Sequence, residues 1–251
     1  MPSDNFRDRT VLLTGAAGGF GTLLAGHLAD AGARLLLSDL APQPLEALAQ
    51  DLRQRGAQVV AVPADVCSEQ SMAELVSAAV EAFGALDIAV NNAGMSAPMK
   101  PFIETTEADL DRNYAVNAKG VFFGMKYQIR QMLTQEGGTI LNVASKAGIG
   151  GAPNLAAYCA AKHAVVGLTR TAALEYARHN IRVNAICPYF SPTPLLTTGT
   201  DEALLAQLAK RSPMKRLGEP EEMVQAMLML IAPENSYLTG QAIAVDGGAS
   251  A

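Results

Sequence analysis

The chain has 251 residues, 49% hydrophobic and 17% charged, with a formal net charge of −5 and a sequence pI near 5.2. That length suits one large α/β domain or two small ones with a substantial core, and the composition excludes a disordered chain. No run of Lys or Arg stands out, which excludes nucleic acid or an anionic membrane surface as the main partner.

In chain order, the apolar run Thr10–Thr14 predicts a first strand, followed by a Gly-rich turn and a helix to about Ala31. Ala33–Asp39 reads as the second strand, and a helix follows near Pro44–Gln54 with Gly56 as its stop. Gln58–Val62 is the third strand. Ser68–Phe83 is a helix with Ser68 in N-cap position and Gly84 beyond its end. Leu86–Asn91 is the fourth strand, and two helices broken near Asn117 fill roughly Thr106–Leu133. The strand Thr139–Ala144 precedes a long helix over about Asn154–His179, and Arg182–Cys187 is the next strand. Pro188–Pro213 is rich in Pro and Thr, with one short helix near Glu202–Lys210. A helix over Glu219–Ile231 and a last strand over Gln241–Val245 complete the chain.

The strands are apolar throughout, so the sheet they form is covered on both faces, and their alternation with helices predicts parallel βαβ units. The expected fold is one Rossmann-type doubly wound sheet of about seven strands, residues 1–251 forming a single domain. No Pro/Gly/Ser linker and no internal repeat divides it. Cys67, Cys159 and Cys187 are odd in number and far apart. They form no metal-ligand spacing and no disulfide framework, so no metal site is expected and a reducing cytoplasm is the natural compartment. The N-terminus shows no signal-peptide stretch, and no window reaches the ~18 apolar residues of a membrane span.

The segment Thr14–Gly21 (TGAAGGFG) lies between the first strand and the first helix. There Gly15 permits a tight turn, Gly19 lets a pyrophosphate approach the backbone, and Gly21 lets helix and strand pack closely. The helix N-terminus, at Phe20, offers N–H groups and a positive dipole end to phosphates. Asp39 follows about 20 residues later at the end of the second strand, where an acid receives ribose hydroxyls. A carboxylate there also repels a 2′-phosphate, and Ala16, Ala17, Gly18 and Leu40 provide no base to hold one. The expected cofactor is therefore NAD. Asp65-Val66 and Asn91-Asn92-Ala93-Gly94 follow the third and fourth strands, at the carboxyl ends where doubly wound sheets bind ligands.

Tyr158 and Lys162 are four residues apart on the long helix and share a face. A phenol titrates too high for proton exchange at neutral pH; a nearby ammonium and a positively charged nicotinamide favour the phenolate. Ser145, just after a strand, is placed to hold the substrate oxygen.

With TGAAGGFG, Asp39, Asp65-Val66, NNAG (91–94), Asn117, Ser145 and YCAAK (158–162), the chain resembles the short-chain dehydrogenase/reductase family over essentially its whole length. Asn184, Pro188, Thr193 and VDGG (245–248) extend the match. The resemblance implies a catalytic set of Asn117, Ser145, Tyr158 and Lys162. In it the Asn carbonyl holds a water that links the Lys to solvent, and the Lys also binds the nicotinamide ribose. It assigns Thr193 to the nicotinamide carboxamide, with Pro188 and Ser191 in the same loop. The implied reaction is NAD-dependent interconversion of a secondary alcohol and a ketone. A 3-oxoacyl-carrier-protein reductase is the alternative, although such enzymes generally use NADPH and carry a base in the glycine turn. A non-enzymatic NAD-binding protein would have no need of the four-residue set. An enoyl reductase would use a longer Tyr–Lys spacing.

The chain departs from the family where Tyr189 stands in place of a usual Gly, and Ser191 and Pro192 are also unusual there. Two readings of Tyr189 stand: a ring in solvent, or a wall of the substrate pocket. The segment 188–213 is the expected substrate lid, with Leu195, Leu196, Leu204 and Leu205 as an apolar cover or as core. Lys146 either favours an anionic substrate or is simply solvated, and Met95 and Met99 either line the pocket or pack. The helix face around Leu155–Leu168 is small and apolar, and family members commonly form tetramers through it, so a homotetramer is expected.

Overall fold

The computed structural model describes residues 4–251. Seven parallel strands form one sheet in the order β3-β2-β1-β4-β5-β6-β7. They are β1 (Thr10–Thr14), β2 (Arg34–Ser38), β3 (Gln58–Ala61), β4 (Ile88–Asn91), β5 (Gly138–Val143), β6 (Ile181–Pro188) and β7 (Ala242–Val245). In register, Leu12 of β1 lies between Leu36 of β2 and Ala89 of β4. The chain starts at the centre of the sheet, builds outward to β3, then returns to place β4 on the other side of β1. That reversal opens a crevice at the carboxyl ends of β1 and β4.

Helices α1 (Gly19–Asp30), α2 (Pro42–Gln54), α3 (Glu69–Phe83), α4 (Glu107–Tyr114), α5 (Gly120–Met132), α6 (Ala156–Tyr176), α7 (Pro194–Thr197), α8 (Glu202–Arg211) and α9 (Pro220–Ile231) flank it. The uninterrupted apolar strands have the reason expected of them: neighbouring residues serve opposite cores. Val11, Leu13, Leu35, Leu37 and Val90 pack with α1, α2 and α9 through Leu24, Leu28, Leu45, Leu52, Val224 and Leu230. Leu12, Leu36, Ala89 and Ile140 face the other way, against Met72 and Leu75 of α3, Val121 and Met125 of α5 and Val165 of α6.

Several boundaries differ from expectation for local reasons. Helix α2 begins at Pro42, two residues early, because a proline in the first turn has no intrahelical N–H to lose. Helix α6 begins at Ala156 rather than Asn154, whose φ of 67° is left-handed and outside a helix. Its last part, Ala177–His179, is a 3-10 turn. The break foreseen near Asn117 is a π-turn over Ala115–Lys119 that carries α4 into α5 without interruption. The short α7 inside the Pro/Thr-rich segment has no counterpart in the sequence reading. The Ser68 and Gly84 caps stand as expected: Ser68 accepts from Ser71 N–H, and Gly84 has φ 84°.

Candidate active site

A cleft of about 880 Å³ opens along the carboxyl ends of the strands and is covered by residues 188–196. At one end the Gly-rich turn joins β1 to α1. Gly15 is left-handed (φ 63°), and a β-carbon there would stand 2.8 Å from Ala93 Cα. A β-carbon on Gly21 would stand 2.2 Å from the Gly15 carbonyl oxygen, so only glycine lets α1 close against the turn. Gly18 caps α1 without any side-chain hydrogen bond, and Phe20 lines the cleft beside it. Gly19 lines the cleft as well, and the Thr193 side chain lies 2.7 Å from where a β-carbon on it would be. Close packing of the lid is thus a second reason for glycine there.

Asp39 stands at the lip of the cleft. Its carboxylate accepts from Ala17 N–H at 3.0 Å and from Ala41 N–H at 3.2 Å, so the backbone fixes it before any ligand arrives. Asp65 accepts from Cys67 N–H at 2.9 Å and lines the cleft with Val66, whose side chain touches Gly120 at the start of α5. Ala93 and Gly94 line the cleft, but Asn91 does not. Its side chain points into the core, donating to Gln128 at 3.0 Å and to Asn142 at 2.8 Å. The residue at the wall is Asn92, which donates to the carbonyls of Thr14 and Gly15 at 3.1 and 2.9 Å. Period-2 alternation at the end of β4, ending on a buried Asn91, was the available signal.

At the other end, Asn117, Ser145, Tyr158 and Lys162 come together from the π-turn, the loop after β5 and helix α6. Asn117 is fully buried; its Oδ1 accepts from Met95 N–H and its Nδ2 donates to the Met95 carbonyl, both at 3.0 Å. Its Nδ2 also donates to Asn113 Oδ1 at 3.2 Å. Ser145 Oγ accepts from Ala147 N–H at 3.1 Å. Lys162 is buried, donates to the Val143 carbonyl at 2.8 Å and lies 5.6 Å from the centroid of the Tyr158 ring.

The electrostatics depart from expectation. Burial pushes the Tyr158 phenol above its ordinary value, opposed only by its hydrogen bond with Ser145. The expected lowering includes a nicotinamide charge that the protein alone does not supply, and burial dominates without it. Burial likewise lowers Lys162 to about 8. The neighbouring Cys187 thiol is pushed up to about 11, mainly by burial, and so stays protonated.

The loop after β6 holds Pro188, Ser191 and Thr193 at the cleft. Ser191 Oγ is buried with no hydrogen-bond partner among the described residues, and Ser38 Oγ, also at the cleft, is in the same position. Unpartnered buried hydroxyls require a ligand or water. With the glycine turn, the uncapped helix and Asp39, they fit a dinucleotide with a carboxamide at the Ser191 end. Tyr189 lines the cleft and packs on Phe190 with ring centroids 4.4 Å apart, so the structure favours the pocket-wall reading. Met95, Met99, Leu195 and Leu196 line the cleft too, while Leu204 and Leu205 do not. Arg112 and Arg211, which the sequence did not single out, also reach it.

Residues 15–250 match a family model described as enoyl-(acyl carrier protein) reductase. The chain is 36% identical to levodione reductase of Leifsonia aquatica, over 100% of this chain and 97% of that one. It is 36% identical to cyclohexanol dehydrogenase of Acinetobacter sp. (strain SE19), over 98% and 96%. A crystal structure of levodione reductase superposes with a TM-score of 0.93 at 36% identity, covering 97% of this chain and 98% of that one. That of NAD+-bound xylitol dehydrogenase gives 0.91 at 32% identity, covering 97% and 99%.

Proposed function

The chain belongs to the short-chain dehydrogenase/reductase family, and from that premise we propose that it interconverts a secondary alcohol and a ketone with NAD(H) as cofactor. Residues 1–251 are read as one domain, with 188–213 as the substrate lid. The observation that carries the reading is the meeting of Ser145, Tyr158, Lys162 and Asn117 in one cleft whose other end presents Asp39. The relatives named for cyclic ketones and alcohols support the reaction class.

Gly15, Gly19, Phe20 and Gly21 would hold the pyrophosphate, Asp39 the adenosine ribose, and Asp65, Val66, Ala93 and Gly94 the adenosine side. Asn91 acts only from behind, by fixing the end of β4. Tyr158 and Lys162 would hold the nicotinamide ribose, and Pro188, Ser191 and Thr193 the carboxamide. Bound nicotinamide supplies or accepts the hydride and, when oxidised, adds a positive charge beside the phenol. Ser145 orients the substrate oxygen, and Tyr158 passes a proton between its Oη and that oxygen. A phenol held protonated by burial is ready to act as acid for ketone reduction. A lysine titrating near 8 exchanges protons near working pH and suits a relay behind Tyr158. Asn117 positions this end by holding Met95.

Asp39 and the absence of a base at Ala16, Ala17 and Gly18 support NAD over NADP. The same absence speaks against a 3-oxoacyl-carrier-protein reductase, which stays the alternative because one such enzyme is 36% identical to this chain. The three-residue gap between Tyr158 and Lys162 speaks against an enoyl reductase. Among the described residues no helix is long and apolar enough to cross a membrane. Three free thiols support a reducing cytoplasm. Exposed Leu110, Tyr114, Phe122 and Leu174 on α4, α5 and α6 support a homotetramer. The test is a panel of secondary alcohols and ketones followed at the NADH absorbance band. Cofactor binding without turnover of any member would overturn the reading.

A further inference from the structure

The chain as a whole is acidic, at a net charge of −5, yet the reacting end of its cleft is not. The carboxylates that line the cleft, Asp39 and Asp65, both lie at the adenosine end. Besides Lys162, the cations lining it are Arg112, Lys146 and Arg211. Outside the cleft some basic side chains meet acids, Arg9 with Asp87, Arg53 with Glu46, Lys100 with Asp109, Lys126 with Glu69 and Arg216 with Glu222. Others, such as Lys119, Arg130 and Arg170, stand on the outer surface without one among the described residues. Arg112, Lys146 and Arg211 have no such partner among the described residues. Unpaired cations lining a concave site focus a positive field into it and raise the local concentration of anions.

One of the three adjoins a reacting group and another the aromatic wall of the pocket. Lys146 is bonded directly to Ser145 and begins the 3-10 turn after it. Its side chain is half-buried and lines the cleft, with Nζ 3.5 Å from the point where a β-carbon on Gly150 would lie. Arg211 ends α8 and lines the cleft beside Tyr189, the aromatic wall that follows Pro188; its charge acts on the Tyr189 phenol in the opposite sense to that of Asp246, which does not line the cleft. Arg112, on α4, has no comparable link. The same cleft is lined by Met95, Leu195, Leu196 and Tyr189. Such a wall receives a short apolar body, with positive charge at its margin.

Resting on the hydride-transfer reading above, we propose that the substrate is a hydroxy or keto acid whose carboxylate is held by Lys146 and Arg211 while its carbinol or carbonyl carbon reacts at Tyr158. Lysine meets the anion as a point charge and arginine offers a planar fork, so together they select a carboxylate or similar anion over a neutral group. The pair acts on specificity, the chemical step remaining with Tyr158.

The test uses the whole enzyme with NADH and three keto acids of increasing length, 3-oxobutanoate, 4-oxopentanoate and 5-oxohexanoate, each against its methyl ester. The acid of the best-fitting length should exceed its ester at least tenfold in kcat/KM. Lys146→Gln and Arg211→Gln should each lower that acid-to-ester ratio about tenfold, with Lys146→Arg restoring most of it. Raising the salt concentration should leave KM for the ester nearly unchanged and raise KM for the acid. As a readout independent of turnover, hexanoate should bind the NADH-loaded enzyme at least tenfold more tightly than hexanamide by calorimetry. Esters turned over as well as acids, with ratios unmoved in the variants, would overturn the proposal and leave the hydride-transfer reading intact. Variants that change KM for NADH instead would assign the cations to the cofactor and overturn it as well. No hydride transfer to any ketone, with NADH bound, would overturn the underlying reading and the proposal with it.

Discussion

Asn117 clamps Met95 by both of its backbone groups, accepting from its N–H and donating to its carbonyl at 3.0 Å each. The segment after β4 is thereby tied to the π-turn, and two walls of the cleft are fixed to each other by one side chain. Asn117→Leu keeps the size and leaves Met95 and Asn113 unpaired. At ~1–3 kcal/mol for a buried polar group left without a partner, the expected loss is about 3 kcal/mol. For a chain of this length that is a fall in Tm of about 6–12 °C. A thermal melt within 2 °C or so of the parent would show that the clamp is not structural.

Tyr158→Phe removes the hydroxyl proposed as proton donor and leaves the ring packing in place. Turnover should fall by about 10²–10⁴-fold, the usual contribution of a positioned general acid. NADH binding, followed by fluorescence titration, should be kept within a few-fold. Near-parental turnover in the variant would remove Tyr158 from the reaction.

Asp39 is held by Ala17 and Ala41 before the cofactor arrives. Its discrimination should therefore be lost when the side chain is shortened. In Asp39→Ala the NADH-to-NADPH ratio of kcat/KM should drop by about 10–100-fold, the worth of hydrogen bonds to a charged group. An unchanged ratio would mean that the choice of cofactor is made elsewhere.

Lys162 titrates near 8 in the folded protein because burial disfavours its charge, against about 10.4 in an unfolded chain. Between pH 8 and 9 the folded lysine releases its proton while the unfolded one keeps it. The unfolded chain then binds more protons, so stability rises with pH across that window. Above pH 9 Cys187, pushed up to about 11, acts in the opposite sense: it keeps its proton when folded and loses it when unfolded. Urea melts of the parent and of Lys162→Met should therefore diverge by on the order of 1 kcal/mol from pH 8 to 9, in the parent's favour. A difference that stays flat would place the Lys162 titration outside that range.

Gly21→Ala would drive a β-carbon into the Gly15 carbonyl, 2.2 Å away. Since the obstacle is backbone, α1 has to move. The variant should lose NADH affinity by at least tenfold and melt lower, both measurable on the same sample. Parental affinity and Tm together would refute the close-packing role.

The sheet was legible in the sequence because its strands are short, apolar and regularly separated by helices. The glycine turn, Asp39 and the Tyr158/Lys162 pair were legible because each occupies a fixed place after a strand or on a helix face. What the sequence left open depends on direction and surroundings. Asn91 reads as part of a ligand-side turn, yet it is the last strand residue and its side chain enters the core. The π-turn at Ala115–Lys119 looks like a break, because composition does not distinguish an added residue in a helix from its end. Arg112 and Arg211 look like solvated helix charges until distant segments bring them to one cleft. The Tyr158 shift was expected downward because chemistry near the ring was visible and burial was not.

The reversal between β1 and β4 also divides the molecule in the order of its synthesis. Every residue assigned to the adenosine and pyrophosphate lies within the first 94, whereas the proton-handling residues begin at Asn117. The earlier portion depends on the later one for a neighbouring strand. Cut after Gly94, it would end on β4 with the edge that β5 normally covers left open along Ile88–Asn91, an apolar edge prone to pair with other chains. The half of the sheet proposed to hold the nucleotide is therefore completed, edge and all, only when β5 has been added.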